Sequence, residues 1–162
     1  MIAVVQRVSK ASVAVDGAVI AAISGGLLAL VGVAAGDSSV DADYIAGKIA
    51  RLRIFADDQG LMNLPVKETG GAVLIVSQFT LVADTRRGNR PNFTGAAAPE
   101  VAERLYLEVA DGIARAGIDV QTGQFGGMMK VDLVNNGPVT IVLDSRKTDS
   151  GPWMLDKPDA GR

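Results

Sequence analysis

Apolar residues fall along the chain in short runs punctuated by Gly, Asn, Asp and Pro, a rhythm of many strands and few helices. Residues 2–8 and 12–15 are rich in valine and predict two strands. Asp16-Gly17 is a hairpin turn signal that leads into a third strand over residues 18–23. Residues 27–33 are apolar without a break, which predicts a central strand covered on both faces. Ser38 or Ser39 is the expected N-cap of a first helix, with Asp41 and Asp43 in its first turn. Ala42, Ile45, Ile49 and Leu52 give that helix an apolar stripe. A short strand over residues 53–55 and a turn at Asp57-Asp58-Gln59-Gly60 follow.

Residues 73–78 predict another buried strand, and residues 83–95 a long polar loop. Pro99 is suited to open the second helix, and Gly117 to end it. Ala102, Leu105, Tyr106, Val109 and Ile113 are its expected buried face. Strands over 120–123, 129–134 and 139–143 complete the count. In the second of these Met129, Val131 and Leu133 alternate with Lys130 and Asp132, which marks one wet face. The expected class is α+β, a mostly antiparallel, barrel-like sheet with two main helices in one domain over residues 1–147. Residues 148–162 lose the periodicity and read as a loose tail that Trp153 could pin.

Residues 17–36 carry no charge and are long enough to span a bilayer. The Asp16-Gly17 turn and the Gly25-Gly26 interruption favour two strands instead, so no membrane is expected. Arg7 follows the first apolar residues, the reverse of a signal peptide, and a cytoplasmic location is the default expectation.

The 162 residues, 48% hydrophobic and 21% charged, describe a globular chain. They include no Cys and no His. That excludes disulfides, thiolate chemistry, a Ser-His-Asp triad and the commonest metal ligand. Catalysis must use hydroxyls, carboxylates, lysines, backbone groups or the substrate itself, and no metal or other cofactor is expected. A net charge of −2 disfavours a protein that coats long nucleic acid but allows a local contact with one RNA end.

Three segments could carry chemistry. Ser77-Gln78-Phe79-Thr80 closes a buried strand with two hydroxyls, a carboxamide and N–H groups freed where the ladder stops. Read alone, it fits an ordinary strand end with hydroxyls capping the backbone better than a site. Asn135-Asn136-Gly137-Pro138 is a turn signal in which the X–Pro bond could be cis. Arg86, Arg87 and Arg90 form a basic patch in the long loop, suited to phosphate or simply to solvent. Gly123-Gln124-Phe125-Gly126-Gly127 lacks the spacing of a nucleotide fingerprint.

Taken together these segments resemble the D-aminoacyl-tRNA deacylase family, from Met1 to about Lys147. The resemblance rests on Val5-Gln6-Arg7-Val8, Leu52-Arg53-Ile54-Phe55, Ser77-Gln78-Phe79-Thr80-Leu81, Arg87-Gly88-Asn89-Arg90-Pro91, Phe125-Gly126 and Asn135-Asn136-Gly137-Pro138-Val139-Thr140. The departures are small: Leu61 where lysine is common, Asn136 where aspartate is common, Gly127 where alanine is common. The resemblance implies hydrolysis of the ester between a D-amino acid and the end of a tRNA. It also implies a homodimer with active sites at the subunit interface. Gly137 and Pro138 of one subunit, joined by a cis bond, would filter chirality in the other's site. Glycyl-tRNA would pass that filter, including glycine mischarged on tRNA-Ala. Ser77, Gln78, Phe79 and Thr80 are the expected catalytic segment, and Gln78, Phe79, Phe125 and Met129 expected walls of an adenosine pocket or, equally, core residues. Two schemes stay open: a Ser77 or Thr80 nucleophile, or backbone N–H groups assisted by the terminal ribose hydroxyl. A non-catalytic nucleic-acid-binding dimer and a small-ester hydrolase are the rival functions.

Overall fold

A computed structural model of the chain describes residues 1–147. The tail and Trp153 lie outside the described residues. The elements are β1 (Ile2–Val15), β2 (Ala18–Ile23), β3 (Gly26–Gly32), α1 (Ser39–Arg51), β4 (Phe55–Ala56), β5 (Met62–Leu64), β6 (Ala72–Ser77), α2 (Pro99–Arg115), β7 (Val120–Thr122) and β8 (Met129–Asp144). Short 3-10 turns cover Val66–Thr69 and Phe79–Val82.

The main sheet runs β2-β1-β3-β6-β7, with β8 on the other side of β1. β1 pairs antiparallel with β2, β3 and β8, whereas β3, β6 and β7 are parallel neighbours. β2 curls back toward β6 and β7, which brings the sheet close to a closed barrel. The parallel ladders follow from chain path: α1 lies between β3 and β6, α2 between β6 and β7, and a crossover needs such length.

Both faces of the central strands are buried, as the unbroken apolar runs predicted. Leu27, Ala29, Val73 and Ile75 face the helices, packing with Ile45, Ile49, Leu105, Val109 and Ile113. Leu28, Leu74 and Val76 face the barrel interior with Val8, Val13 and Ile23. Each strand residue thus alternates between two cores. At Gly26, φ is +141° and an added Cβ would lie 1.9 Å from the Ala72 carbonyl oxygen, so only glycine lets β3 and β6 meet there.

α1 is capped by Ser38 in a reciprocal capping box with Asp41, whose carboxylate accepts from the Ser38 N–H at 2.8 Å. Asp41 also accepts from the Ser145 hydroxyl at 2.6 Å. That hydroxyl in turn accepts from the Met1 ammonium, which pairs with Asp37 at 2.8 Å. α1 packs closely on α2, where an added Cβ at Gly112 would sit 2.7 Å from the Ala46 methyl.

Two pairs of predicted strands are each one strand. Residues 2–8 and 12–15 join into β1, because β1 exchanges β3 for β2 on one side while β8 continues on the other. Residues 129–134 and 139–143 join into β8, and Asn135–Pro138 is not a turn between strands. The interruption is absorbed as register shifts between β1 and β8 around Gln6, Val8 and Lys10. The strand expected at 53–55 lies at Phe55–Ala56 and pairs with β5, which the sequence did not suggest. The turn between them is as expected: Asp57 Oδ1 accepts from the Gln59 and Leu61 N–H groups at 2.9 and 3.0 Å. Residues 17–36 supply β2 and β3, and among the described residues no helix is long and apolar enough to cross a membrane.

Candidate active site

β6 delivers Ser77 to the edge of a cavity of about 700 Å³. The parallel ladder ends there, since the Gln78 N–H donates to the Val31 carbonyl at 2.8 Å and the chain then turns. The first N–H of the following turn with a backbone acceptor is that of Leu81, which donates to the Gln78 carbonyl at 3.2 Å. Those of Phe79 and Thr80 precede it and, among the described residues, find no acceptor. This is how a 3-10 start leaves donors free. The turn fits because β3 ends in glycine: a Cβ on Gly32 would lie 2.8 Å from the Gln78 carbonyl oxygen and 3.0 Å from Leu81 Cβ.

Ser77, Gln78 and Phe79 form one wall of the cavity, Ala96, Ala97, Pro99 and Ala102 a second, and Phe125 to Met129 with Val131 a third. Of the expected residues, the fold therefore gathers Ser77, Gln78, Phe79, Phe125 and Met129. Thr80 stands beside them, its hydroxyl accepting from the Gln78 amide. Among the described residues no Asp, Glu, Lys or Arg lines the cavity. Thr80's neighbour is a donor, so it withholds the base that a hydroxyl nucleophile needs.

The floor is braced from α2. Tyr106 is buried, and its hydroxyl donates to the Ile75 carbonyl at 2.9 Å, two residues before Ser77. Its ring lies 6.1 Å from that of Phe125. Burial pushes the Tyr106 hydroxyl up to about 12, so it stays a neutral donor.

Gly137 and Pro138 are not in this cavity. They lie exposed on β8, joined by a cis bond. Arg7 holds the approach to them: Nε donates to the Asn136 carbonyl at 2.8 Å and Nη1 to the Ile54 carbonyl at 2.5 Å. The Asn135 side chain accepts from the Val139 N–H at 2.8 Å. The arginine loop neighbours the cavity through Phe93, whose ring meets Phe79 edge to face at 5.1 Å. Its residues split in role. Arg86 is paired with Asp84 at 2.7 Å and holds that carboxyl far below the usual range, whereas Arg87 and Arg90 are exposed. A second cavity, about 410 Å³ between α1 and α2, contains none of the expected residues. Among the described residues no three His, Cys, Asp or Glu are grouped to hold a metal ion.

The family described as D-Tyr-tRNA(Tyr) deacylase matches residues 4–144. The chain belongs to the D-aminoacyl-tRNA deacylase family. It is 58% identical over 147 residues to the D-aminoacyl-tRNA deacylase of Anaeromyxobacter dehalogenans (strain 2CP-C), covering 91% of this chain and 99% of that protein. It is 59% identical over 145 residues to that of Roseiflexus castenholzii (strain DSM 13941 / HLO8), covering 90% and 92%. The solved structure of a protein named "c-Myc DNA Unwinding Element Binding Protein" is 37% identical with a TM-score of 0.82, covering 89% of this chain and 98% of that one. A second solved structure, of a probable eukaryotic D-amino acid tRNA deacylase, is 17% identical with a TM-score of 0.74, covering 88% and 97%, and speaks for the fold alone.

As a member of the deacylase family the chain is an enzyme, a hydrolase of ester bonds. Sequence reasoning missed Gly32, Tyr106 as the brace beneath Phe125, and the small-residue wall Ala96, Ala97 and Ala102. Gly32 left one signal, a glycine inside an otherwise unbroken apolar run. The alanine wall left none, because alanine reads alike in a core, a helix or a pocket.

Proposed function

We propose that the protein hydrolyses the ester joining a D-amino acid to the terminal ribose of a tRNA, releasing the amino acid and the tRNA. The observation that carries this reading is a cleft that, among the described residues, has no ionisable side chain, is walled mostly by apolar groups and is edged by the Phe79 and Thr80 N–H groups, which find no acceptor there. Those donors would take the ester carbonyl oxygen as it gains charge. Water attacks the carbonyl carbon, the tetrahedral intermediate collapses, and the ribose oxygen leaves with a proton. The ribose hydroxyl next to the ester positions or activates that water, in place of the missing base. Gln78, Phe79, Phe125 and Met129 enclose the adenosine. Arg87 and Arg90 contribute the RNA contact, and Arg86, expected from the sequence to join them, is held by Asp84 instead.

In the same reading a second copy inserts its Gly137-Pro138 into the cleft. Its Gly137 carbonyl would exclude an L side chain while the substrate amino group is gripped. Two features support it: the exposure of Gly137 and Pro138, and the fixation of their neighbours by Arg7 and Asn135, although neither residue lines the cleft of its own chain. A rigid backbone group suits a filter that must admit many D side chains. Glycine has no side chain to exclude, so glycyl-tRNA, including glycine mischarged on tRNA-Ala, would be accepted.

The likeness to the 37%-identical DNA unwinding element binding protein favours a second reading, a nucleic-acid-binding dimer without catalysis. The net charge of −2 opposes it. Deacylation of matched D- and L-aminoacyl-tRNA by the purified protein tests the first reading. Salt-dependent binding to duplex DNA with no ester hydrolysis would favour the second.

A further inference from the structure

Phe93 is a large apolar side chain left 37% exposed outside the cleft lining, beside Phe79, which is 56% exposed. The two rings meet with centroids 5.1 Å apart and planes at 67°, and both remain partly exposed to solvent. Immediately before Phe93 the loop is pinched shut. Asp84 and Asn92 exchange backbone hydrogen bonds of 2.8 and 2.9 Å, and the Asn92 side chain accepts from the Thr94 N–H at 2.9 Å. The tip beyond the pinch carries Arg86, Arg87 and Arg90.

These arginines differ. Arg86 Nε and Nη2 donate to the two carboxylate oxygens of Asp84 at 2.9 and 2.7 Å, and the Arg86 N–H donates to the same carboxylate at 3.0 Å. That fork neutralises Arg86 within the loop and leaves the charge of the tip to Arg87 and Arg90.

We propose that Phe93 with Arg87 and Arg90 is the landing surface for the unpaired nucleotides that precede the terminal adenosine. A base stacks on Phe93, the two arginines take backbone phosphates, and Arg86 is an internal strut. An aromatic face beside arginines is the usual means of holding single-stranded nucleic acid without reading its sequence. The contact of Phe93 with Phe79 sets this surface next to the cleft wall, where the preceding nucleotide must leave the pocket. The inference rests on the deacylase reading, and its test separates the two.

The probes are two uncharged RNA hairpins, one with a short unpaired 3′ end and one blunt, titrated against the full chain at several salt concentrations. Phe93→Leu should weaken binding of the tailed hairpin about tenfold, and Phe93→Tyr should restore it. The blunt hairpin should bind all variants alike. Arg87→Gln and Arg90→Gln should each reduce the slope of log affinity against log salt by about 0.7, and Arg86→Gln should leave it unchanged. Unaltered binding of the tailed hairpin by Phe93→Leu, an equal loss on both hairpins, or a slope lost with Arg86→Gln would overturn the assignment. Wild-type protein that prefers the tailed hairpin but hydrolyses no D-aminoacyl-tRNA would sink the deacylase reading and keep the landing surface. Hydrolysis intact in wild type and unaffected by Phe93→Leu would do the reverse.

Discussion

Substitution of Gly137 by alanine is the most informative single change. Its φ of +148° is one that residues with a side chain rarely adopt. Holding a non-glycine residue there costs on the order of 1–3 kcal/mol. Space makes matters worse: the new methyl would lie 2.8 Å from Val139 Cγ2, 2.9 Å from the Val139 nitrogen and 3.1 Å from Arg7 Nη2. The Val139 backbone cannot swing aside as a long side chain can, and displaced Arg7 loses its hold on the Asn136 and Ile54 carbonyls. A net loss of about 2 kcal/mol corresponds to a melting point lower by roughly 4–8 °C in a chain of this size. The protein stays folded at 25 °C, so activity can be read separately. If Gly137 serves a partner's cleft, deacylation of D-aminoacyl-tRNA should fall at least about tenfold, or roughly 1.4 kcal/mol of transition-state stabilisation. Thermal melting and single-turnover deacylation are the assays. An unchanged melting point would refute the strain argument. A lowered melting point with full activity would remove Gly137 from the site.

Other outcomes follow from the same geometry. Ser77→Ala and Thr80→Ala should each retain activity within about tenfold of wild type, whereas loss of an essential nucleophile costs orders of magnitude; trapping an aminoacyl ester on either hydroxyl would contradict the backbone scheme. Exhaustive chelation should leave deacylation unchanged, with tRNA integrity monitored; loss restored by one added divalent ion would count against it. The Asp41 carboxyl is held below its ordinary 3.8, first by the Ser145 hydroxyl and then by Ser38. A depressed folded value stabilises the protein above the unfolded one and loses that contribution as pH falls through it. Asp41→Asn should therefore melt below wild type at pH 7, and the two should converge as pH drops under 3.8; a gap that persists in acid would show another cause.

Much of this architecture was legible because local and global demands agree. The unbroken run at 27–33 meant burial on two faces, and Leu27 and Leu28 do point into different cores. Ser38 and Pro99 start the helices as their chemistry requires. Polar punctuation misled where a strand simply continues past it. The gap between residues 8 and 12 and the Asn135–Pro138 segment read as breaks, yet β1 and β8 run through them with register shifts because each has the other as a long partner. The parallel pairings were not legible, since strand neighbours depend on how helices cross the sheet. At the site, Ser77 to Phe79 could be placed because a strand end frees its donors. The far wall of alanines could not, because those side chains acquire meaning only when α2 packs against β6.

The proposed hydrolysis is chirality-selective and takes place in a cleft whose described residues supply donors and no base. The direct test is the deacylation rate of one tRNA charged in parallel with the D and the L form of the same amino acid, at catalytic amounts of purified protein. The expected result is rapid release of the D-amino acid, an L rate at the level of the protein-free control, and release of glycine from glycyl-tRNA. Equal rates for D and L, or no hydrolysis of either, would contradict it.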